Sequence, residues 1–208
     1  SVKPHLRGWI HLVAAPLSLA ASIVLTCLAP TGATKGGSAI YLAASLILFG
    51  ISALYHRFYW SPRWEIVWNR LDHSNIFLLI AGTYTPLSIA ILPHDQAVTI
   101  LSIVWGGALL GILLNLFWPT APRWLATLIY VALGWVAVWY LPQFWALGGA
   151  VIVWLLLAGG ILYTIGAVVY ATKKPDLSPR WFGFHEIFHL CTVLAWACHC
   201  VAVYLAVL

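Results

Sequence analysis

Long apolar runs, divided by short polar breaks, make up most of the chain. Most of the runs reach the ~20 residues that a helix needs to cross the hydrocarbon core of a membrane. The breaks hold Pro, Gly or clustered charges, which end apolar helices. The pattern predicts seven transmembrane helices at approximate residues 9–29, 38–58, 73–92, 97–118, 124–141, 145–170 and 184–207. We therefore predict an all-α fold, a seven-transmembrane helix bundle in which residues 1–208 form a single integral membrane domain.

Positively charged residues divide unequally between the two sides of this bundle. Only Lys35 falls on one side, and nine residues fall on the other: Lys3, Arg7, Arg57, Arg63, Arg70, Arg123, Lys173, Lys174 and Arg180. Cytoplasmic loops of membrane proteins carry an excess of Lys and Arg. The N-terminus is therefore predicted to be cytoplasmic and the C-terminus extracytoplasmic. An even number of spans would scatter these charges over both sides, so the division also supports a count of seven.

The composition leads to the same class of protein. Hydrophobic residues make up 63% of the chain and charged residues only 7%, whereas soluble domains are about a quarter charged. The sequence pI near 9.2 would suit a nucleic-acid partner only if the basic residues formed a clustered face. They are scattered through the loops, so no nucleic-acid binding is predicted.

Five polar or ionisable side chains lie just inside the same ends of three spans. Ser52 and His56 end the second span, Asp72 begins the third, and His185 and His189 begin the seventh. A carboxylate at the centre of a membrane helix costs roughly 2.5–3.5 kcal/mol on insertion scales, so such residues usually mark a functional site. The predicted topology brings all five to a similar depth on the cytoplasmic side.

The spacing of these residues favours a metal site. His185 and His189 are four residues apart and share a helix face, as do Ser52 and His56. Two imidazoles from one helix and His56 from another leave an open fourth position, the arrangement of catalytic zinc sites. Zinc suits an all-imidazole set best, although copper, nickel and iron also accept imidazole. Asp72 is then a candidate proton acceptor from a water of lowered pKa, and Ser52 a candidate to orient that water or stabilise an oxyanion.

Each of these residues also has a simpler interpretation. A single histidine is more often a packing or interfacial residue, and only the whole set at matched depth favours a metal. His185-Glu186-x-x-His189 also fits the zinc-protease pattern. Glu186, however, is a quarter-turn away from the two histidines, at the cytoplasmic interface, so Asp72 is the preferred base.

The remaining histidines receive simpler interpretations. His199 lies on the face of His185 but deeper, so a hydrogen bond to a metal ligand or within the core is expected rather than metal ligation. His73 adjoins Asp72 and is expected to face elsewhere. The others are interpreted as terminal or interfacial residues: His5, His11 and His94.

Several segments together resemble the hemolysin III family, the bacterial branch of the progestin and adipoQ receptor (PAQR) superfamily. The segments are 52–56, 71–74, 80–86 and 185–189, with further matches at Lys3-Pro4, Arg7-Gly8, His11, Gly134-Trp135, 159–166 and His199. The resemblance implies a multi-pass protein of the bacterial inner (plasma) membrane with a cytoplasmic N-terminus. It also implies zinc held by His56, His185 and His189, with Asp72 and Ser52 around the metal-bound water.

The resemblance extends to function. The superfamily is similar to alkaline ceramidases in its Ser, Asp and triple-His set, which suggests a zinc-dependent hydrolase of lipid amide or ester bonds that acts in membrane lipid homeostasis. Membrane lipids are the expected partners. No soluble hormone is expected, because the chain begins within a few residues of its first span. A haemolysin-like pore former and a receptor or sensor with a structural zinc stay open as alternatives.

Overall fold

The computed structural model describes residues 3–208, and this part of the chain is built from α-helices. The helices are α1 (Trp9–Leu28), α2 (Gly32–Arg57), α3 (Pro62–Ile91), α4 (His94–Phe117), α5 (Arg123–Gly134), α6 (Leu141–Gly148), α7 (Ala150–Thr172) and α8 (Phe184–Val207). Within residues 3–208, seven helical spans are long and apolar enough to cross a membrane, with Arg123–Gly148 counted as one span. The predicted all-α, seven-helix fold class is confirmed.

Local side-chain chemistry fixes the turn between α1 and α2. The Thr31 hydroxyl accepts a hydrogen bond from the Thr34 amide at 3.1 Å, and the Thr34 hydroxyl accepts one from the Thr31 amide at 3.1 Å. This reciprocal capping box satisfies amides that the first turn of α2 leaves free. At the end of α1, Lys35 Nζ donates to the carbonyl of Cys27 at 2.8 Å, where a positive charge is favourable.

The fifth span is interrupted halfway. A 3₁₀ segment, Trp135–Tyr140, separates α5 from α6, within a stretch that the sequence pattern predicted to be continuous up to residue 141. Tyr84 Oη of α3 donates to the carbonyl of Gly134 at 2.6 Å and accepts from the amide of Ala137 at 2.8 Å. A broken helix at membrane depth requires such partners, since lipid supplies none. The break is therefore held by a neighbouring helix.

Helix α3 lies at the centre of the bundle. It packs against α2 and α4, and also contacts α5, α6 and α8. Gly111 of α4 allows a close approach to α3, because a Cβ atom there would lie 2.4 Å from the ring of Phe77. The other strongly packed neighbours are α1 with α2 and α7 with α8. Helix α8 also contacts α1 and α3, so the helices that carry the predicted polar residues pack together.

The two ends of the bundle differ in charge. Because successive spans alternate in direction, the start of α1 shares one end with the α2–α3, α4–α5 and α7–α8 connections. We call this the basic end, since it carries nine of the ten Lys and Arg residues and only Lys35 lies at the other. The ends of α2 and the starts of α3 and α8 are at the basic end, which brings the predicted polar residues to one level.

Candidate metal centre

Three histidines meet inside the basic end. His56 comes from the last turn of α2, and His185 and His189 come from the first two turns of α8. One nitrogen from each ring lies within 4.8 Å of the other two. The side chains are buried, with exposed fractions of 5%, 9% and 2% for His56, His185 and His189. This group could hold a metal ion, and its members are those that the helical spacing predicted.

One pair of ring nitrogens has the separation that a bound metal ion requires. His56 Nε2 and His185 Nε2 lie 3.2 Å apart, and two nitrogens bound to one tetrahedral zinc ion lie roughly 3.3 Å apart. His189 makes no side-chain hydrogen bond to residues 3–208, and its buried Nδ1 is without a partner. A buried imidazole without partners is costly, and a metal ion would remove that cost for the ring. The residues present therefore fit a metal centre.

Asp72 adds a carboxylate at the edge of the cluster. Its Oδ2 lies 3.2 Å from His56 Nε2, so one nitrogen of His56 faces both His185 and Asp72. The short connection between α2 and α3, residues 58–61, turns the chain back and brings the start of α3 alongside the end of α2. Asp72 thus lies beside His56, at the end of the bundle where the topology predicted it.

Ser52 lies one helical turn from His56, but its partner is a fourth histidine. Ser52 Oγ and His11 Nδ1 form a hydrogen bond of 2.7 Å. The ring of His11 stacks on the ring of His189, with centroids 3.7 Å apart and an interplanar angle of 14°. Its Nε2 is buried and has no partner among the described residues.

The interpretation of His11 as an interfacial residue was wrong. The side chain is only 3% exposed and belongs to the polar cluster. A signal existed in the sequence, since His11 enters the first span at the same end and depth as the other polar residues. It was missed because α1 offers no second metal-capable residue at helical spacing, and because the contact with Ser52 of α2 is not local.

Glu186 has a structural role in this arrangement. It forms an ion pair with Arg7 through Oε1, and its Oε2 accepts a hydrogen bond from the Gly183 amide at 2.8 Å. It does point away from the histidines, as predicted, but with 1% exposure it is buried rather than interfacial. Both carboxylate oxygens are occupied at the N-terminus of α8, where a negative charge is favourable.

The other histidines of interest lie outside the cluster. His199 Nε2 hydrogen-bonds to the carbonyl of Leu156 on α7 at 3.1 Å, so the core hydrogen bond predicted for it is present. His73 turns away from Asp72, and its Nδ1 hydrogen-bonds to the carbonyl of Asn69 at 2.7 Å. Neither ring belongs to the group that could hold a metal ion.

Residues 3–8, which we call the N-terminal strap, cross the basic end over the cluster. Backbone hydrogen bonds join the amides of His5 and Leu6 to the carbonyls of Arg180 and Trp181 at 2.9 and 3.2 Å. The strap reaches the cluster at Gly8, which has a φ of +81° and leaves only enough room for a hydrogen, since a Cβ would lie 2.9 Å from the Cβ of His56. The strap therefore fixes the position of His56 from outside.

Lys3 anchors the other end of the strap. Its Nζ donates to the carbonyl of Phe58, at the end of α2, at a distance of 2.9 Å. Partial burial lowers the pKa of Lys3 below its ordinary value, while the Glu65 carboxylate opposes that shift. The strap thus connects the end of α2 with the segment that precedes the start of α8. These two helices carry the three histidines.

A cavity of about 130 Å³ opens from the cluster into the bundle. Its basic end is lined by His11, Ser52, Asp72 and His189, and its walls beyond that are largely apolar, as at Leu79, Leu87 and Phe144. Asp72 and Leu87 are fifteen residues apart on α3, a rise of about 22 Å. One leaflet of hydrocarbon is roughly 15 Å deep, so the cavity extends further than one leaflet and is long enough for a fatty acyl chain.

Comparison with known proteins points to one family. The family model described as Haemolysin-III related matches residues 1–200. Hemolysin-3 of Bacillus cereus is 34% identical over 198 residues, which cover 91% of this chain and 85% of the relative. The Hemolysin-3 homolog of Bacillus subtilis is 36% identical over 147 residues, covering 70% of this chain and 68% of the relative.

A more distant relative comes from an animal. Progestin and adipoQ receptor-like protein 1 of Caenorhabditis elegans is 25% identical over 173 residues, covering 74% of this chain but 40% of the relative. The match supports the wider superfamily that the sequence motifs indicated. Together with the seven apolar spans, the comparisons indicate that this chain is a multi-pass integral membrane protein.

Proposed function

Because this chain belongs to the haemolysin-III-related family, we propose that it is a zinc-dependent hydrolase of lipid amide or ester bonds that acts in membrane lipid homeostasis. One observation carries the proposal: the cluster of His56, His185 and His189 lies at the polar end of an apolar cavity that is at least as deep as a lipid leaflet. A headgroup bond at the cluster and an acyl chain along the cavity would match this distribution of polarity.

The three histidines would hold the zinc ion through ring nitrogens. When bound, zinc would act as a Lewis acid toward the substrate carbonyl and would lower the pKa of a water to roughly 7. The burial of all three rings keeps bulk water away and strengthens electrostatic interactions at the site. Of the three histidines, His189 lines the cavity.

Asp72 would transfer protons, and Ser52 would orient the water or stabilise negative charge. As the water oxygen bonds to the carbonyl carbon, Asp72 Oδ2 would accept the proton that the water loses. The bond to the leaving nitrogen or oxygen then breaks, and Asp72 returns the proton to that leaving group. The Ser52 hydroxyl would orient the water or stabilise the negative charge that develops on the carbonyl oxygen.

The excess of positive charge at the basic end supports a cytoplasmic location for it, hence an inner-membrane protein with its site near the cytoplasmic leaflet. A pore is less well supported, although the Bacillus cereus relative is called a hemolysin. The cavity walls beyond the cluster are largely apolar, which does not suit a path for ions. Zinc content and lipid hydrolysis, measured on the same variants, distinguish a structural zinc from a catalytic one.

The test combines metal content with lipid hydrolysis. Purified wild-type protein is expected to hold one zinc per chain, and a variant with all three histidines replaced by Ala is expected to hold none. Asp72→Asn should retain the zinc and lose about 100-fold or more of its hydrolysis of lipid amides and esters, since general acid–base catalysis contributes about 10²–10⁴-fold.

Asp95→Asn is the matched control, because this exposed carboxylate begins α4 at the opposite end. It should leave both zinc content and hydrolysis unchanged. Zinc that binds to the histidines without any hydrolysis of the lipid panel would favour a structural metal. A folded wild-type protein that binds no metal would remove the mechanism.

A further inference from the structure

One polar ring lies far from the metal centre along the same cavity. His199 lines the cavity and is ten residues beyond His189 on α8, a rise of about 15 Å. An ionisable side chain at that depth in a membrane bundle is costly and usually marks a functional site. The walls around it are largely apolar, so its presence there calls for a physical reason.

The hydrogen bond of His199 defines which nitrogen is free. Nε2 lies 3.1 Å from the carbonyl oxygen of Leu156, and a carbonyl only accepts. Nε2 therefore carries the proton, and in a neutral imidazole Nδ1 is then an acceptor. Among residues 3–208, the bond through Nε2 is the only hydrogen bond that the His199 ring makes, so Nδ1 is unused.

Helix α7 makes room for this ring. A Cβ at Gly159 would lie 2.3 Å from both Cδ2 and Nε2 of His199, so any side chain at position 159 would displace the imidazole. The edge of the ring that faces Gly159 is the Nε2 edge. The opposite edge carries Nδ1, which is directed away from the backbone of α7.

Tyr163 supplies a second unused polar group. Its ring centroid is 5.4 Å from that of His199, it lines the same cavity, and its buried Oη has no partner among the described residues. The hydroxyls of other cavity residues are bonded to carbonyls of their own helices: Thr83 to Leu79, Thr164 to Gly160 and Thr192 to Phe188. Away from the metal centre, where His11 and His189 also have unpartnered nitrogens, the unused hydrogen-bonding capacity of the cavity is therefore at His199 and Tyr163.

We propose that His199 and Tyr163 form a recognition site for a hydroxyl group on the chain of a bound fatty acyl lipid. The site rests on the proposed function, in which an acyl chain occupies the cavity with its polar end at the histidine cluster. An extended chain advances about 1.2 Å per bond, so the 15 Å rise corresponds to about twelve bonds. The ligand class is thus an acyl lipid that is hydroxylated near the middle of its chain.

A purely structural role explains less of the geometry. A hydrogen bond between α7 and α8 accounts for Nε2 of His199, since polar side chains often join membrane helices. It does not account for the free Nδ1 or for the unpartnered Oη of Tyr163. A hydroxyl can donate to the first and accept from the second, which satisfies both groups.

The test compares fatty acids that differ only in the position of a hydroxyl. Binding of octadecanoic, 2-hydroxyoctadecanoic and 12-hydroxyoctadecanoic acid is measured on the full-length protein in detergent by isothermal titration calorimetry. The wild type should bind the 12-hydroxy acid roughly 2- to 12-fold more tightly than the other two, the range expected for one net hydrogen bond. His199→Phe should lose this preference and retain its affinity for octadecanoic acid.

Tyr204→Phe is the matched control. Tyr204 also lies on α8 and donates a hydrogen bond to a carbonyl of a neighbouring helix, that of Ala21 on α1, but it is outside the cavity. This variant should keep the preference for the 12-hydroxy acid. Should His199→Phe fail to fold, Tyr163→Phe removes only the Oη and should reduce the preference.

The outcomes separate this inference from the proposed function. Equal binding of all three acids by the wild type, or a preference that persists in both His199→Phe and Tyr163→Phe, would overturn the recognition site while leaving an acyl-binding cavity in place. Failure of the wild type to bind any of the acids would overturn the acyl-binding cavity and the recognition site with it.

Discussion

His11 lies beside the three candidate metal ligands, yet its hydrogen bond is to Ser52 rather than to a shared centre. Its ring also covers one face of His189. Two contacts of different kinds thus meet in one residue, a hydrogen bond that orients a hydroxyl and a stacking contact that restrains a ligand. The two can be separated, because Phe preserves a flat ring and removes both nitrogens.

His11→Phe is expected to keep zinc bound and to reduce lipid hydrolysis by about 10-fold, the loss of one orienting hydrogen bond. Zinc content by mass spectrometry and initial rates of hydrolysis are the measurements. If His11 acts through Ser52, the double variant with Ser52→Ala should be no slower than Ser52→Ala alone. Additive losses, or loss of the metal from His11→Phe, would contradict a role through Ser52.

At the scale of elements, the metal centre depends on contacts that join helix ends. The N-terminal strap holds α8 through the ion pair between Arg7 and Glu186 and touches α2 at Gly8. Helix α8 supplies two of the three histidines, so displacement of its first turn would move both. The strap is therefore a structural part of the site although it contributes no candidate ligand.

Arg7→Ala should destabilise the protein by about 3 kcal/mol, because it leaves the buried carboxylate of Glu186 without its partner; the low end of the range applies since Arg7 is 19% exposed. Zinc affinity, measured by competition with a chelator, should fall as well. Thermal unfolding in detergent gives the stability, and Arg63→Ala, an exposed arginine at the same end, is the control. Arg7→Ala combined with Glu186→Gln should regain part of the lost stability; no recovery would argue against an unpaired charge as the cause.

The break in the fifth span depends on Tyr84 in the same way. Tyr84→Phe removes an oxygen that serves the carbonyl of Gly134 and the amide of Ala137, and buried unsatisfied groups cost about 1–3 kcal/mol each. Hydrogen exchange followed by mass spectrometry should then show faster exchange across residues 133–140. Tyr130→Phe is the matched control, since its Oη reaches only the Thr127 hydroxyl at 3.3 Å. Unchanged exchange in Tyr84→Phe would mean that the break is held by other contacts.

At the scale of the whole molecule, the charge distribution predicts how the bundle sits in the membrane. In a Cys27→Ser background, Lys35→Cys should react with a membrane-impermeant maleimide in intact cells, because Lys35 lies at the end opposite the basic end. Lys173→Cys should react only after permeabilisation. The remaining cysteines are buried or half-buried within α8. The reverse labelling pattern would invert the bundle and place the metal centre near the outer leaflet.

The sequence by itself determined the class of fold and three members of the cluster. Hydrophobic runs, helix breaks and the spacing of His185 and His189 are local properties. Helical geometry alone is therefore enough to predict the spans and the shared face of the two histidines. The convergence of His56 and Asp72 also followed, because short connections between spans leave few alternatives for the level of each helix end.

Tertiary structure alone decided the place of His11, the pairing of Arg7 with Glu186, the interruption held by Tyr84 and the free edge of His199. Each depends on which faces of two distant helices meet, and helical periodicity does not specify that rotation. In a membrane the lipid-facing and protein-facing sides of a helix are both apolar, so the hydrophobic pattern that located the spans contains little information about how they face one another.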